Sequence, residues 1–218
     1  MVGFEILTRG PEGAFESPAD MFRLCVENDV LAEVDLTCLR LGIETSKQIA
    51  PNLRVHLNIF PSTVLDTPLD ELLGFFPENR EGRVYWVELS EQDIVGDPSN
   101  FRKHVRALRE AGIFVAVDDI GFSRQSLETL MLLEPDAVKI DRMYVAGVSS
   151  DKGKVRLLTR LVNVARSLGA EVIAEGVESE DDVPILTQLG VKLAQGFLFG
   201  GLISELPSGV EKQTNLYK

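Results

Sequence analysis

Short apolar runs of strand length alternate with longer runs of helix length along this chain, and almost every apolar run stops at a carboxylate, an amide or a lysine. Strand-like runs lie at Val2–Leu7, Arg54–Ile59, Val84–Leu89, Ile113–Asp118, Ala137–Ile140, Glu171–Ala174 and Leu193–Leu198. Helix-like runs lie at Pro18–Asn28, Leu31–Ala50, Ser62–Gly74, Pro98–Ala111, Ser126–Leu133, Lys152–Leu168 and Glu180–Leu189. Strands that alternate with helices pair in parallel, with the helices covering the sheet. An open doubly wound sheet gathers its ligand at one switch point. Polar residues at nearly every strand end fit a barrel with its site on the C-terminal rim better. The predicted fold is α/β, a modified (β/α)8 TIM-like barrel, with one strand fewer legible than the regular eight.

Local signals place the helix ends. Ser17 before Pro18, and Ser179 with Asp182 three residues on, read as helix starts, the second as a capping box. Gly112, Gly169 and Gly190 each end a helix just before a strand. The chain has 218 residues, 44% of them hydrophobic, which fits one domain spanning residues 1–218.

Strand periodicity then orients the polar residues. Successive side chains of a strand point to opposite faces, so Arg54, His56 and Asn58 share a face, with Val55 and Leu57 turned to the helices. The same alternation groups Val84, Trp86 and Glu88, then Phe114, Ala116 and Asp118, and pairs Ala137 with Lys139. Each strand thus carries its polar residue at the last inward position. Carboxylates crowded on one rim repel each other unless cations neutralise them. Paired carboxylates with one amide therefore point to oxygen-ligated divalent metals and hydrolytic chemistry.

Charge and composition narrow the partners. A formal net charge of -12 and a pI near 4.7 argue against duplex nucleic acid and anionic membranes. A small phosphate ligand stays compatible, because a metal-filled site is locally positive. No run is apolar enough to span a bilayer, no signal peptide is visible, and Cys25 and Cys38 lack metal-site spacing. A cytoplasmic protein with free thiols is expected.

Several blocks resemble one known family. Glu5-Ile6-Leu7 with Arg9 is similar to the Glu-Ala-Leu-x-Arg signature of EAL domains, the bacterial cyclic di-GMP phosphodiesterases. The resemblance continues through Leu57-Asn58-Ile59, Glu88-Leu89-Ser90-Glu91 and Asp118-Asp119-Ile120-Gly121. It resumes in Leu133 to Asp141, in Ala174-Glu175-Gly176-Val177-Glu178 and in Gln195-Gly196-Phe197. The blocks stand in family order over almost the whole chain.

The resemblance implies a barrel that cleaves one phosphodiester bond of cyclic di-GMP to give linear pGpG, with a two-metal site of Mg2+ or Mn2+. Glu5, Asn58, Glu88 and Asp118 resemble the ligands of a first metal. Asp118 would bridge to a second metal completed by Asp119 and Glu175. Lys139, Glu175 and Glu91 match catalytic positions, with Glu91 holding the loop after the paired aspartates. Arg9, Gln195 and Glu178 match substrate-side positions, and a homodimer is implied. Two oxygen-ligated ions about 3.5–4 Å apart suit an in-line displacement, and Lys139 adds charge favouring a negative transition state.

Departures from the family pattern set up a second reading. The family has an N-terminal strand before its EAL motif, whereas this chain starts just ahead of Gly3-Phe4-Glu5, so the barrel is expected to lack that strand. In the loop over residues 120–127, Ser123 and Arg124 replace a glycine and a tyrosine, and Ile6 replaces the small alanine. The alternative is a catalytically impaired EAL-like domain acting as a cyclic di-GMP receptor or an interaction module. His56 is expected to pack inside the barrel and His104 to lie on an exposed helix, neither with a catalytic role.

Overall fold

The computed structural model describes residues 1–13, 15–90, 98–121 and 123–201. Seven strands form one parallel sheet in sequence order: β1 Gly3–Ile6, β2 Arg54–Asn58, β3 Val84–Ser90, β4 Phe114–Ile120, β5 Ala137–Ile140, β6 Glu171–Ala174 and β7 Leu193–Ala194. Helices run between them: α1 Pro18–Glu27, α2 Leu31–Ser46, α3 Pro61–Asp66, α4 Leu69–Gly74, α5 Pro98–Glu110, α6 Arg124–Leu133, α7 Arg142–Val145, α8 Lys152–Ser167 and α9 Val183–Gln188. The expected βα alternation holds throughout.

The sheet curls on itself. Arg54 on β2 is ion-paired with Glu171 on β6, four strands away in the order. At the opposite rim Gln195, just past β7, reaches Glu5 on β1. Among the described residues no backbone pairing joins β1 to β7, so the structure is a curled half-barrel with an open seam.

Alternation sorts the side chains into two layers, as the sequence predicts. Val55, Leu57, Tyr85, Val87, Leu89, Val115, Val117, Val138 and Ile140 face outward into the main core under the helices. Trp86, Ala116, Ala137 and Ile173 form a separate small cluster on the concave side. That inner cluster is the floor beneath the rim. Register aligns the strand ends above it, pairing Glu5 with His56, Asn58 with Glu88, and Ser90 with Asp118.

Several expectations need correction. The helix predicted over 62–74 is two helices, because Pro68 disfavours helical backbone at Thr67, which is extended at φ -92° and ψ 129°. The last strand stops at Ala194, well short of Leu198. Gly196 takes φ +154°, and a Cβ there would sit 2.2 Å from the Val177 carbonyl oxygen, so the chain turns where only glycine fits. His104 is 7% exposed. It faces inward with Phe101, Val105 and Leu108, at helical spacing on the buried side of α5. The capping box at Ser179 does not close: the Ser179 hydroxyl accepts from the Asp181 N–H, while buried Asp182 accepts from the Gly147 and Ser149 N–H groups, both at 2.9 Å. Ser17 makes no side-chain cap, although Pro18 does begin α1.

Candidate functional site

The ends of β1, β3, β4 and β6 place four carboxylates around one ammonium. Lys139, inward on β5, lies 2.8 Å from Glu88 Oε2, 2.9 Å from Asp118 Oδ2, 3.0 Å from Glu175 Oε1 and 3.3 Å from Glu5 Oε2. Its side chain is 1% exposed. Burial alone would depress the ammonium, but attraction from Glu88, Glu5, Asp118 and Glu175 outweighs it and raises Lys139 well above its ordinary range. Lys139 is the local countercharge of the acidic rim.

The carboxylates do not behave alike. Glu5 accepts from Asn58 Nδ2 and Gln195 Nε2, both at 2.8 Å. Burial pushes its carboxyl up, yet Lys139 and these two amides hold it at about 2. Glu88 is buried deepest, and burial with the neighbouring Glu5 and Asp118 charges carries it up in spite of Lys139. Burial and the Asp118 charge likewise bring Glu175 to about 8 against the pull of Lys139. An acidic cluster with its protons partly retained is one short of positive charge.

The backbone explains how Asp118 and Asp119 both reach the rim. The β4–β5 register shifts between Val117 and Ile120, and Asp119 adopts the left-handed region at φ 57°. The Asp119 N–H donates to Asp118 Oδ1 at 2.8 Å. Strict alternation would have sent consecutive side chains to opposite faces; the irregularity removes that constraint.

These residues fit cations. Glu5, Glu88 and Asp118 each offer an oxygen within 4.8 Å of the others, and so do Asp118, Asp119 and Glu175. The two groups share Asp118. Their donors are all oxygen, the preference of hard divalent ions rather than of zinc. Asn58 uses its N–H on Glu5, which leaves its amide oxygen as a further donor on the same rim.

A cavity of about 270 Å3 opens beside the first group. Glu5, Asn58 and Glu88 lie on its floor, and Arg9, Phe22, Phe60 and Asp35 are among its walls. Phe22 and Phe60 meet edge to face at 4.9 Å. Asp35 on α2 is 2% exposed and accepts the Phe60 N–H at 2.8 Å. Burial raises its carboxyl to about 6 against that hydrogen bond.

The sequence-predicted residues thus divide by position. Glu5, Asn58, Glu88, Asp118, Asp119, Lys139, Glu175 and Gln195 converge on the rim. Arg9 lines the cavity, exposed, with its guanidinium donating to the Thr8 carbonyl. Glu178 pairs with Arg142 at 3.0 Å. Glu91 lies outside the described residues. Sequence reasoning missed Asp35, whose helix gave no hint of a buried carboxylate. It also gave His56 no contact, although alternation already set it one inward step below Asn58.

The family model of the EAL domain matches residues 1–201. The chain belongs to the EAL domain family. Relatives of this EAL domain include the probable cyclic di-GMP phosphodiesterase PdeG of Escherichia coli, 27% identical over 90% of this chain and 40% of PdeG. The cyclic di-GMP phosphodiesterase RocR of Pseudomonas aeruginosa is 30% identical over 91% of this chain and 53% of RocR. The chain spans only about a quarter to a half of the length of such relatives. Among solved structures, the BlrP1 complex of Klebsiella pneumoniae with calcium and cyclic di-GMP superposes with a TM-score of 0.75 at 28% identity, over 90% of this chain and 50% of that one. An EAL domain protein of Listeria monocytogenes reaches 0.80 at 25% identity, over 92% and 81%. No helix among the described residues of this EAL domain is long and apolar enough to cross a membrane.

Proposed function

We propose that this EAL domain is a cyclic-guanylate-specific phosphodiesterase that hydrolyses cyclic di-GMP to linear pGpG with Mg2+ or Mn2+. The observation that carries the reading is the pair of oxygen-donor groups sharing Asp118, set around Lys139, with Glu5 and Glu88 of the first group lining a cavity. Relatives named as cyclic di-GMP phosphodiesterases, and neighbours solved with that nucleotide, support the substrate.

In this reading Glu5, Asn58, Glu88 and Asp118 hold one ion, and Asp118, Asp119 and Glu175 the other. Bound ions of this class activate water and neutralise charge on a phosphoryl group undergoing in-line displacement. Lys139 keeps a positive charge beside the reacting phosphate, which favours a more negative transition state. Arg9, on the cavity wall, binds a phosphate oxygen. Phe22 and Phe60 give an apolar wall for a purine face, with the Asp35 carboxyl as a polar partner for its edge. Gln195 and Asn58 hold Glu5 in place. Glu91 steadies the loop after the aspartates, and Glu178 acts on the substrate side through its contact with Arg142. Residues 1–218 work as one domain, in the cytoplasm and as a homodimer.

The test is product analysis of the folded chain with cyclic di-GMP and Mn2+. Appearance of pGpG, lost in Glu5→Ala, is expected; no product from metal-loaded protein overturns the reading. A receptor role has one feature in its favour: Ser123 in the altered loop is committed as the cap of α6, accepting the Ser126 N–H at 2.8 Å. Saturable nucleotide binding without turnover would establish it instead.

A further inference from the structure

Beneath Glu88 stands a side chain that the reading above leaves without a task. His56 on β2 points to the concave side and is 8% exposed. Its Nδ1 lies 2.7 Å from Glu88 Oε1, while Glu88 Oε2 faces Lys139 at 2.8 Å. The Glu88 side chain is 0% exposed, so solvent offers Oε1 no alternative partner.

The imidazole is itself held. It stacks on Trp86 with centroids 5.3 Å apart and planes 5° from parallel. Trp86 in turn stacks on Phe114 at 4.8 Å, and the Arg54 guanidinium lies 5.0 Å over the indole. Arg54 is tied across the barrel to Glu171. Among the described residues Trp86 Nε1 finds no hydrogen-bond partner, so the indole contributes packing and does not compete for Glu88. A column of stacked groups therefore rises from the barrel base and ends in His56 Nδ1, directed at Glu88.

We propose that His56 is a positioning residue for Glu88: its Nδ1–H fixes Oε1 and turns Oε2 toward the cation site. The inference rests on the metal-site reading above. A carboxylate rotates freely about its last torsion, and a partner on its outer oxygen fixes which atom it presents to an ion. Such outer partners commonly change metal affinity about 10–100-fold. A carboxyl ligates a cation in its deprotonated form and then only accepts, so the proton shared by Glu88 and His56 belongs on Nδ1.

The test compares Mn2+ binding by paramagnetic resonance in the full chain and in His56→Leu and His56→Asn. The leucine keeps apolar bulk and removes the donor; the asparagine amide restores an N–H in the direction of Nδ1. Mn2+ affinity should fall about 10–100-fold in His56→Leu and recover most of the loss in His56→Asn. Equal binding by His56→Leu and the parent, or no recovery in His56→Asn, overturns the proposal. Long-range 1H–15N spectra of the parent give a second arm that needs no variant, with His104 as the only other imidazole in the chain. A protonated Nδ1 on His56 is expected, and a bare Nδ1 overturns the proposal even if His56→Leu does not fold. A parent that binds no Mn2+ removes the metal-site reading itself, a result distinct from parent and variant binding alike.

Discussion

The Gln195 amide donates to the Glu5 carboxylate at 2.8 Å, linking the two outer strands of the sheet by side chains where, among the described residues, no backbone pairing joins them. Gln195→Leu should therefore weaken the closure as well as the site. Loss of a hydrogen bond to an ionised, largely buried carboxylate costs about 1–2 kcal/mol. Urea denaturation at pH 7 in the presence of chelator measures it. An unchanged midpoint would mean that the seam does not depend on this contact.

Lys139 is the countercharge of four carboxylates, so its removal should hurt most when no cation is present. Lys139→Met is expected to destabilise the chelated protein by about 3–5 kcal/mol, the usual cost of stranding buried charge. Added Mn2+ should restore more stability to the variant than it adds to the parent. Paired denaturation curves with and without Mn2+ check both statements.

Asp118 belongs to both oxygen groups, Asp119 to one. Asp118→Asn should reduce Mn2+ binding at both positions, while Asp119→Asn should leave about one ion bound. Equilibrium dialysis at saturating Mn2+ gives the stoichiometries. Equal stoichiometry in the two variants would contradict the shared role of Asp118.

Asp35 supplies a pH signature away from the acidic rim. Its folded carboxyl is raised from 3.8 to about 6, so between those values the folded state holds a proton that the unfolded chain has lost. Stability from this group is therefore full below pH 3.8 and falls as pH rises to 6, by about 2–3 kcal/mol. Asp35→Asn should remove that fall, since its amide oxygen still accepts the Phe60 N–H. Melts of both proteins from pH 4 to 7 test the slope.

Arg9 is exposed on the cavity wall, with its guanidinium on the Thr8 carbonyl. Arg9→Ala is expected to raise KM about 10-fold, through loss of a charge-assisted phosphate contact, with Mn2+ binding unchanged. Steady-state kinetics beside a Mn2+ titration separates the two.

Much of this molecule was legible in its sequence because strand alternation is a strong local rule. It correctly put Trp86, Ala116 and Ala137 on one inner face and Glu88 and Lys139 at the rim. The errors came from interactions that periodicity does not carry. Pro68 splits one expected helix, and this signal was readable from the proline alone. His104 sits at inward spacing with Phe101 and Val105, yet its polarity hid that. Which rim residue meets which, such as Gln195 with Glu5, depends on how far the sheet curls. Nothing local encodes it.

A chain that reverses side at every step can give one mouth two neighbouring acids only where the beat is broken. Here the break is the left-handed Asp119 and the shifted register beside it. Restoring a regular strand over Val117 to Ile120 would leave Glu5, Glu88 and Asp118 in place but would swing Ile120, buried in the outer core, to the concave side. It would turn Asp119 away. One break in the strand thus serves two layers at once, giving the mouth its second acid and returning Ile120 to the core.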